Sequence, residues 1–421
     1  MQKHIAFLES NLTGSGYEAM AAARAAGHHV TFLTSDLGLY TAPGHEKLDP
    51  GWLDAVVTCD TNDPESVVAA VENLDRPVDA LLAVGEWHMI CAAEAARALG
   101  LPGPSPDGVR AARDKSLTRR LCAEAGVPVP GFARVTTPEE AYGTGLPHPC
   151  VVKPLDDAGS NGVRLCTTPE ESADHVRAIL ADTHNERGQR KIPAALVETY
   201  VDGPEVSVEI LVYEGTPTVV ALTWKELSSP PHFIETGHHV PAGLDAERAE
   251  RCARVATDAV RAVGFDLGVA HVELRLAADG PYLIEINCRP AGDRITRLVT
   301  LATGVDLCDE LVRMHVEPWT PPPVTLRQAA AIAFLPAGPG VVRAVHGADR
   351  ARLTEGVTDV SLYVEPGHHS RPQLNNTARH AHAIAVGPTG REAHARAREA
   401  LAELRVETTA GGPHPGEGVR P

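Results

Sequence analysis

Lysine is scarce in this 421-residue chain. Only six of its 38 basic residues are lysines, namely Lys3, Lys47, Lys115, Lys153, Lys191 and Lys225. Against 55 acidic residues they leave a formal net charge of −17, which excludes a sequence-independent grip on nucleic acid or anionic lipid. Any phosphate must therefore be held by a few well-placed groups. No apolar run approaches the ~18 residues of a membrane span, so no membrane partner is expected. The segment Met1–Glu9 meets its first acid too early for a secretory signal and reads as a strand entering a loop. The eight cysteines include no C-x-x-C pair, which points to reduced, cytoplasmic thiols rather than disulfides or zinc. Three adjacent histidine pairs (His28-His29, His238-His239, His368-His369) also lack zinc-site spacing. No internal repeat is visible.

What is present is an ordinary globular composition, 43% hydrophobic and 22% charged, with room for two or three domains. The first hundred residues alternate short apolar strands (His4–Leu8, His29–Thr34, Ala80–Val84) with small-residue helices (Tyr17–Ala26, Val67–Leu74, Met89–Leu99). This pattern predicts a doubly wound parallel sheet. The loop Glu9–Gly16 holds Gly14 and Gly16 without a full G-x-G-x-x-G, so a tight turn is expected there rather than a dinucleotide site. Breaker clusters at Leu101–Pro106 and Pro318–Pro323 divide the chain. The resulting segments are an N-terminal α/β domain (1–112), a middle domain (113–317), a small α+β C-terminal domain (318–407) closing on a helix Arg391–Leu404, and a Gly/Pro-rich flexible tail (408–421).

The chemistry concentrates in the middle. In Leu283–Pro290, period two puts Glu285, Asn287 and Arg289 on one face. Val269–Arg275 likewise aligns His271, Glu273 and Arg275. With Gly280-Pro281 turning between them, the two stretches predict an antiparallel pair that brings Glu273 near Glu285 and Asn287. Two carboxylates and an amide oxygen suit a hard divalent cation that also takes phosphate oxygens; the alternative is a solvated edge strand.

Val151-Val152-Lys153-Pro154 is a strand ending in lysine, followed by Asp156–Val163. The small residues Gly159, Ser160, Asn161 and Gly162 expose backbone N–H groups able to wrap a polyphosphate, with Lys153 as a point charge. Lys115 opens a helix and can reach the same phosphates. In Val197–Glu209, the stretch Glu198, Thr199, Tyr200, Val201 offers backbone groups to an adenine edge, and Glu205 suits ribose hydroxyls. Each of these taken singly is ordinary: a glycine-rich hairpin loop, a first-turn lysine, a surface hairpin.

In this order, Lys115, Lys153 with its glycine loop, the Glu198–Glu205 hinge and Glu273…Glu285-x-Asn287-x-Arg289 resemble the ATP-grasp superfamily over residues 113–310. The flanking domains resemble its preceding α/β domain and, more loosely, its lid-like third domain. There, Ala383–Ala393 looks like the strand–turn–helix of the biotin-carboxylase-type branch. The resemblance implies ATP and one or two Mg²⁺ (with Mn²⁺ able to substitute) as cofactors. Lys115 and Lys153 would hold phosphates, Glu273, Glu285 and Asn287 the metal, and Arg289 the acyl phosphate and the tetrahedral oxyanion.

Biotin carboxylases follow the arginine with Gln-Val-Glu-His, whereas this chain reads Arg289-Pro290-Ala291-Gly292-Asp293-Arg294. The closest resemblance is to L-amino-acid ligases, which make dipeptides, and to related amide-forming enzymes of antibiotic biosynthesis. Their Glu-x-x-His is matched by Glu235-Thr236-Gly237-His238, and their N-terminal acid in the amino-acid pocket by Glu86. Where some carry a bulky tryptophan four residues past the arginine, this chain has Asp293. That departure predicts a roomier or more polar pocket beside Gly292, suiting a cationic or hydroxylated substrate. Trp224 and Lys225 are candidates to line the same cavity; the alternatives are core packing for Trp224 and a mobile surface loop for Glu235 and His238. The expected partners are a small-molecule carboxylate and an amine, with a homodimer usual for this branch. Competing readings are an ATP-grasp carboxylase or purine-pathway ligase, and a non-catalytic nucleotide-binding regulator.

Overall fold

A computed structural model describes residues 1–12, 14–41, 46–228, 233–370 and 379–409. Strands β1 (His4–Leu8), β2 (His29–Thr34), β3 (Ala55–Thr58) and β4 (Ala80–Leu82) form a parallel sheet in the order β3-β2-β1-β4. β1 is buried throughout, as a strand covered by helices on both faces must be. β3 escapes the sequence pattern because it is short and half-exposed. The helix expected at Val67–Leu74 runs over Pro64–Glu72 instead, because Asp63 caps it by accepting from the Glu65 and Ser66 N–H groups, with Pro64 in the first turn.

Strands β5 (Phe132–Val135), β6 (Cys150–Pro154), β7 (Arg164–Cys166) and β8 (Ala195–Thr199) make a small antiparallel sheet, order β5-β8-β6-β7. Next come β9 (Glu205–Tyr213), β10 (Thr216–Leu227), β11 (Glu235–Val240), β12 (Gly268–Ala277) and β13 (Gly280–Asn287). The C-terminal segment adds β14 (Ala329–Pro336), β15 (Gly340–His346), β16 (Val357–Leu362), β17 (His369–Ser370), β18 (Arg379–Gly387) and β19 (Arg405–Thr409). Its α+β unit is joined edge to edge with the middle domain in one eight-stranded sheet, β13-β12-β9-β10-β11-β14-β18-β16.

Three sequence expectations shift. The Val197–Glu209 stretch is no hairpin, since β8 and β9 belong to different sheets. The crossing at Gly203 brings the chain so close that a Cβ there would lie 2.1 Å from the Leu276 carbonyl oxygen. The β12–β13 turn is Ala278-Asp279, and Gly280 and Pro281 already pair in register with Ala277 and Leu276. Thr408 and Thr409, assigned to the tail, pair with Val342 and Val341 as the end of β19; residues 410–421 lie outside those described.

One core joins the helices Met89–Leu99 and Ala246–Val263 to β9, β12 and β13, with Val206, Val208, Ile210, Val272 and Leu274 fully buried. The small sheet keeps a separate core around Val152, Ala173, Val176 and Val197. These two bodies face each other across the site.

Candidate active site

The hairpin β12–β13 sets Glu273 opposite Glu285 and His271 opposite Asn287, as the spacing predicts. Each carboxylate has its own ammonium: Lys115 Nζ is 2.7 Å from Glu285, and Lys225 Nζ is 2.7 Å from Glu273. Asp114 caps the helix Lys115–Glu124, whose first residue is Lys115. That lysine also donates from Nζ to the Asp157 carbonyl at 2.9 Å, so it bridges the glycine loop to the acid pair.

Lys225 is the residue the sequence reading undervalued. It is buried and touches Glu205 at 3.0 Å, Glu235 at 2.7 Å and Glu273 at 2.7 Å. Burial alone would favour its neutral form, but these acids raise its pKa well above the usual value. Burial opposes the charged form of His271 too. Glu209, at 2.9 Å, and Glu273, at 3.2 Å, overcome it and raise the pKa to about 9. Trp224, one position from Lys225, points the other way and stacks on His239.

Lys153 Nζ lies 2.6 Å from Glu198, which Arg119 Nε also meets at 2.5 Å. Burial works against ionisation of Glu198, but the two cations hold its pKa below normal. The main chain of Glu198 is paired within the small sheet on both sides, its carboxylate is the counter-ion of Lys153, and Glu198, Thr199, Tyr200 and Val201 all line one cavity. Each carboxylate oxygen of Glu205 meets a cation, Lys225 on one and Arg275 Nε (3.3 Å) on the other. In the glycine loop, Gly159, Ser160 and Gly162 have φ of 64°, 61° and 68°. That left-handed run turns backbone N–H groups toward one side.

These groups surround one open cleft, lined by Lys115, Lys153, Asn161, Glu198, Glu273 and Glu285 among others. At one end Tyr200 and Phe233 stack with ring centroids 6.1 Å apart, and the Arg275 guanidinium lies 4.8 Å from the Phe233 centroid. Val201 lines the same end, its carbonyl accepting from Arg275 at 3.1 Å. The cavity therefore offers a flat π surface at one end and ammonium groups with paired acids at the other. Glu273, Glu285 and Asn287 supply the hard oxygen donors that Mg²⁺ requires.

Arg289 lies two residues beyond Asn287, and its guanidinium is ion-paired with Glu86. Glu86 also pairs with Arg113. Burial disfavours its charge, but Arg289 and Arg113 lower its pKa to about 2. Both oxygens of Glu86 are engaged, and it holds Arg289. Asp293 is also ion-paired. Arg379 of β18 grips it with two hydrogen bonds of 2.7 and 2.8 Å, and His238 Nε2 stands 3.2 Å away. Glu235, 3.5 Å from His238, connects this cluster to Lys225. Gly292 leaves open space where a Cβ would stand, and the chain then turns through positive φ at Asp293 and Arg294.

Arg113, Arg119 and Arg379 carried no signal in the sequence, being arginines in an arginine-rich chain. Lys225 and Lys191 could have been found by lysine scarcity alone. Lys191 pairs with Asp157 at 2.6 Å, so four of the six lysines serve this region.

Comparison with known proteins agrees with the geometry. Residues 146–297 match the ATP-grasp domain, 20–103 the ATP-grasp N-terminal domain, and 333–409 the L-amino acid ligase C-terminal domain 2. The chain belongs to the ATP-grasp family of ligases. An L-amino acid ligase from Bacillus licheniformis superposes with a TM-score of 0.83 at 24% identity, over 97% of this chain and 99% of that one. A phosphoribosylglycinamide synthetase from Anaerococcus prevotii superposes at 0.74 and 16% identity, over 97% of this chain and 100% of the other. An uncharacterized protein of Sinorhizobium fredii is 32% identical over 92% of this chain and 80% of its own length. Carnosine synthase 1 of Gallus gallus is 30% identical over 66% of this chain, which spans only 31% of that longer protein. Among the described residues no helix is long and apolar enough to cross a membrane.

Proposed function

We propose that this chain is an ATP-dependent carboxylate–amine ligase that joins amino acids or amino-acid-like substrates through an acyl phosphate. The observation that carries this reading is the adjacency of two ammonium–carboxylate pairs, Lys115–Glu285 and Lys225–Glu273, to the buried Arg289–Glu86 pair. The relationship to carnosine synthase and the L-amino acid ligase C-terminal match support an amide product.

In this reading the Tyr200–Phe233 surface takes the adenine, and Lys115, Lys153 and the glycine loop take the phosphates. Glu273, Glu285 and Asn287 would hold one or two Mg²⁺, whose charge offsets that of the phosphoryl group in transfer. A substrate carboxylate oxygen attacks the γ-phosphorus and the bond to ADP breaks. The amine nitrogen then attacks the acyl carbon, Arg289 stabilises the oxyanion, phosphate departs and the nitrogen loses its proton. The Asp293–Arg379 pair and the Glu235–His238 pair form one wall of the acyl site. We place the enzyme in specialised metabolite biosynthesis, working in the cytoplasm as a homodimer.

The test is release of ADP and phosphate that requires both a carboxylate and an amine, screened over acid and amine pairs with Mg²⁺-ATP. AMP as product would mean adenylation and overturn the reading. Arg289→Ala should abolish turnover. A carboxylase is disfavoured because Pro290–Asp293 replaces the bicarbonate-handling Gln-Val-Glu-His run.

A further inference from the structure

The loop between the helix Pro169–Ala181 and β8 crosses from the small sheet to the N-terminal block. Asn62 Nδ2 donates to the Arg187 carbonyl at 3.0 Å, and Gln189 Nε2 donates to Asn62 at 2.8 Å and to the Trp87 carbonyl at 3.0 Å. Trp87 Nε1 returns a hydrogen bond to Glu186 at 3.0 Å. Arg187 donates to the Ser10 carbonyl at 3.2 Å, lies 5.6 Å from the Tyr40 ring centroid, and places Nη1 3.9 Å from Glu9.

Glu9 is fully buried, and hydroxyls of Tyr40, Thr34, Ser35 and Thr61 donate to it. Among the described residues, Arg187 is the one cation within the 3.9 Å reach given above. Glu9 is held by these hydroxyls and the Ser35 N–H, and Arg187 adds a counter-charge beyond hydrogen-bond distance.

The base and the tip of this loop meet different parts of the site. At the base Lys191 pairs with Asp157 at 2.6 Å, and the Ile192 N–H donates to Asp156 at 2.9 Å, both acids standing at the start of the glycine loop. At the tip Glu186 and Gln189 grip Trp87, the neighbour of Glu86, which holds Arg289. Arg113 closes the circuit: it pairs with Glu86, donates to the Asp156 carbonyl at 2.6 Å and lies 5.1 Å from the Trp87 ring centroid. The crossing is made by polar groups between bodies with separate cores.

We infer that residues 183–191 are a strap tying the glycine loop to the Glu86–Arg289 pair, with Arg187 and Gln189 as positioning residues for Arg289. Docking of the strap fixes Arg289 only when the glycine loop is in place. Its activity arm rests on the ligase reading; its structural arm does not.

The experiment uses the full chain with and without Mg²⁺-ATP, as wild type, Gln189→Ala, Arg187→Lys and Arg187→Ala. Tryptic cutting after Arg187 or Arg190 is slowed by Mg²⁺-ATP in the wild type, and Gln189→Ala is cut about tenfold faster. Gln189→Ala and Arg187→Ala lower kcat by ~10- to 100-fold with the KM for ATP within about twofold. They also release phosphate in excess of amide, and Arg187→Lys restores part of the coupling. Melting temperatures close to wild type separate this from misfolding. Equal cutting in wild type and Gln189→Ala overturns the strap; faster cutting with wild-type kcat and coupling overturns the positioning role. If the wild type shows no acid- and amine-dependent phosphate release, the ligase reading falls while proteolysis still decides the strap.

Discussion

Glu86 and Arg289, 203 positions apart in the chain, form a buried ion pair at the centre of the site. Arg113 shares the same carboxylate, so a single acid from the N-terminal domain orients two guanidiniums of the middle domain. Glu86→Gln keeps the shape and removes the charge that holds Arg289. Steady-state kinetics should show kcat falling by ~100-fold with the KM for ATP little changed. An unaltered kcat would mean that the pair serves folding alone.

Lys225→Met leaves Glu205, Glu235 and Glu273 gathered around an apolar side chain. Removing one partner of a buried ionic cluster costs ~3–5 kcal/mol. The acids then share protons, so denaturant unfolding at pH 8 should show a larger loss than at pH 6. A variant as stable as wild type at both values would refute this.

Asp293 and Arg379 link the middle and C-terminal domains by two hydrogen bonds, and Arg379 lies 3.5 Å from the Phe334 ring centroid. Asp293→Ala strands a buried guanidinium, whereas Asp293→Ala with Arg379→Met removes both charges. Unfolding measurements should give a coupling of ~2 kcal/mol or more, with the double variant more stable than Asp293→Ala. Additive losses would show that the pair contributes nothing as a pair.

His315 is buried beside the Leu311 carbonyl, 2.8 Å from its Nδ1. Burial, only partly offset by that hydrogen bond, lowers its pKa to about 4 from 6.5. Between those values the unfolded chain binds a proton that the folded chain refuses, so stability falls as pH drops from about 6.5 to 4. His315→Gln should remove one proton from this dependence, flattening it by about 1.4 kcal/mol per pH unit. An identical pH profile would contradict the assignment.

The β12–β13 hairpin was legible because a two-residue period is a local property: Glu273, Glu285 and Asn287 follow from alternation alone, and so does their pairing across a short turn. Lys153, next to last in β6, and the glycines after it were legible because they too are local sequence features. Arg113, Arg119 and Arg379 were not. Each acts through a partner 27, 79 or 86 positions away, and an arginine's local sequence does not reveal which acid it will meet.

Glu86, Glu198, Glu205 and Asp293 show the same limit from the other side. Composition and motif placed them at the site, but nothing local showed which cation each would meet. Folding brings a cation to each, because an unpaired carboxylate cannot stay ionised in a buried site. What the amino-acid order determined was the alternating N-terminal sheet, the glycine loop and the row of acids on β12 and β13. Only the tertiary structure decided which charges neutralise one another, since ion pairing depends on distances of a few ångströms between segments that the chain separates by tens to hundreds of residues.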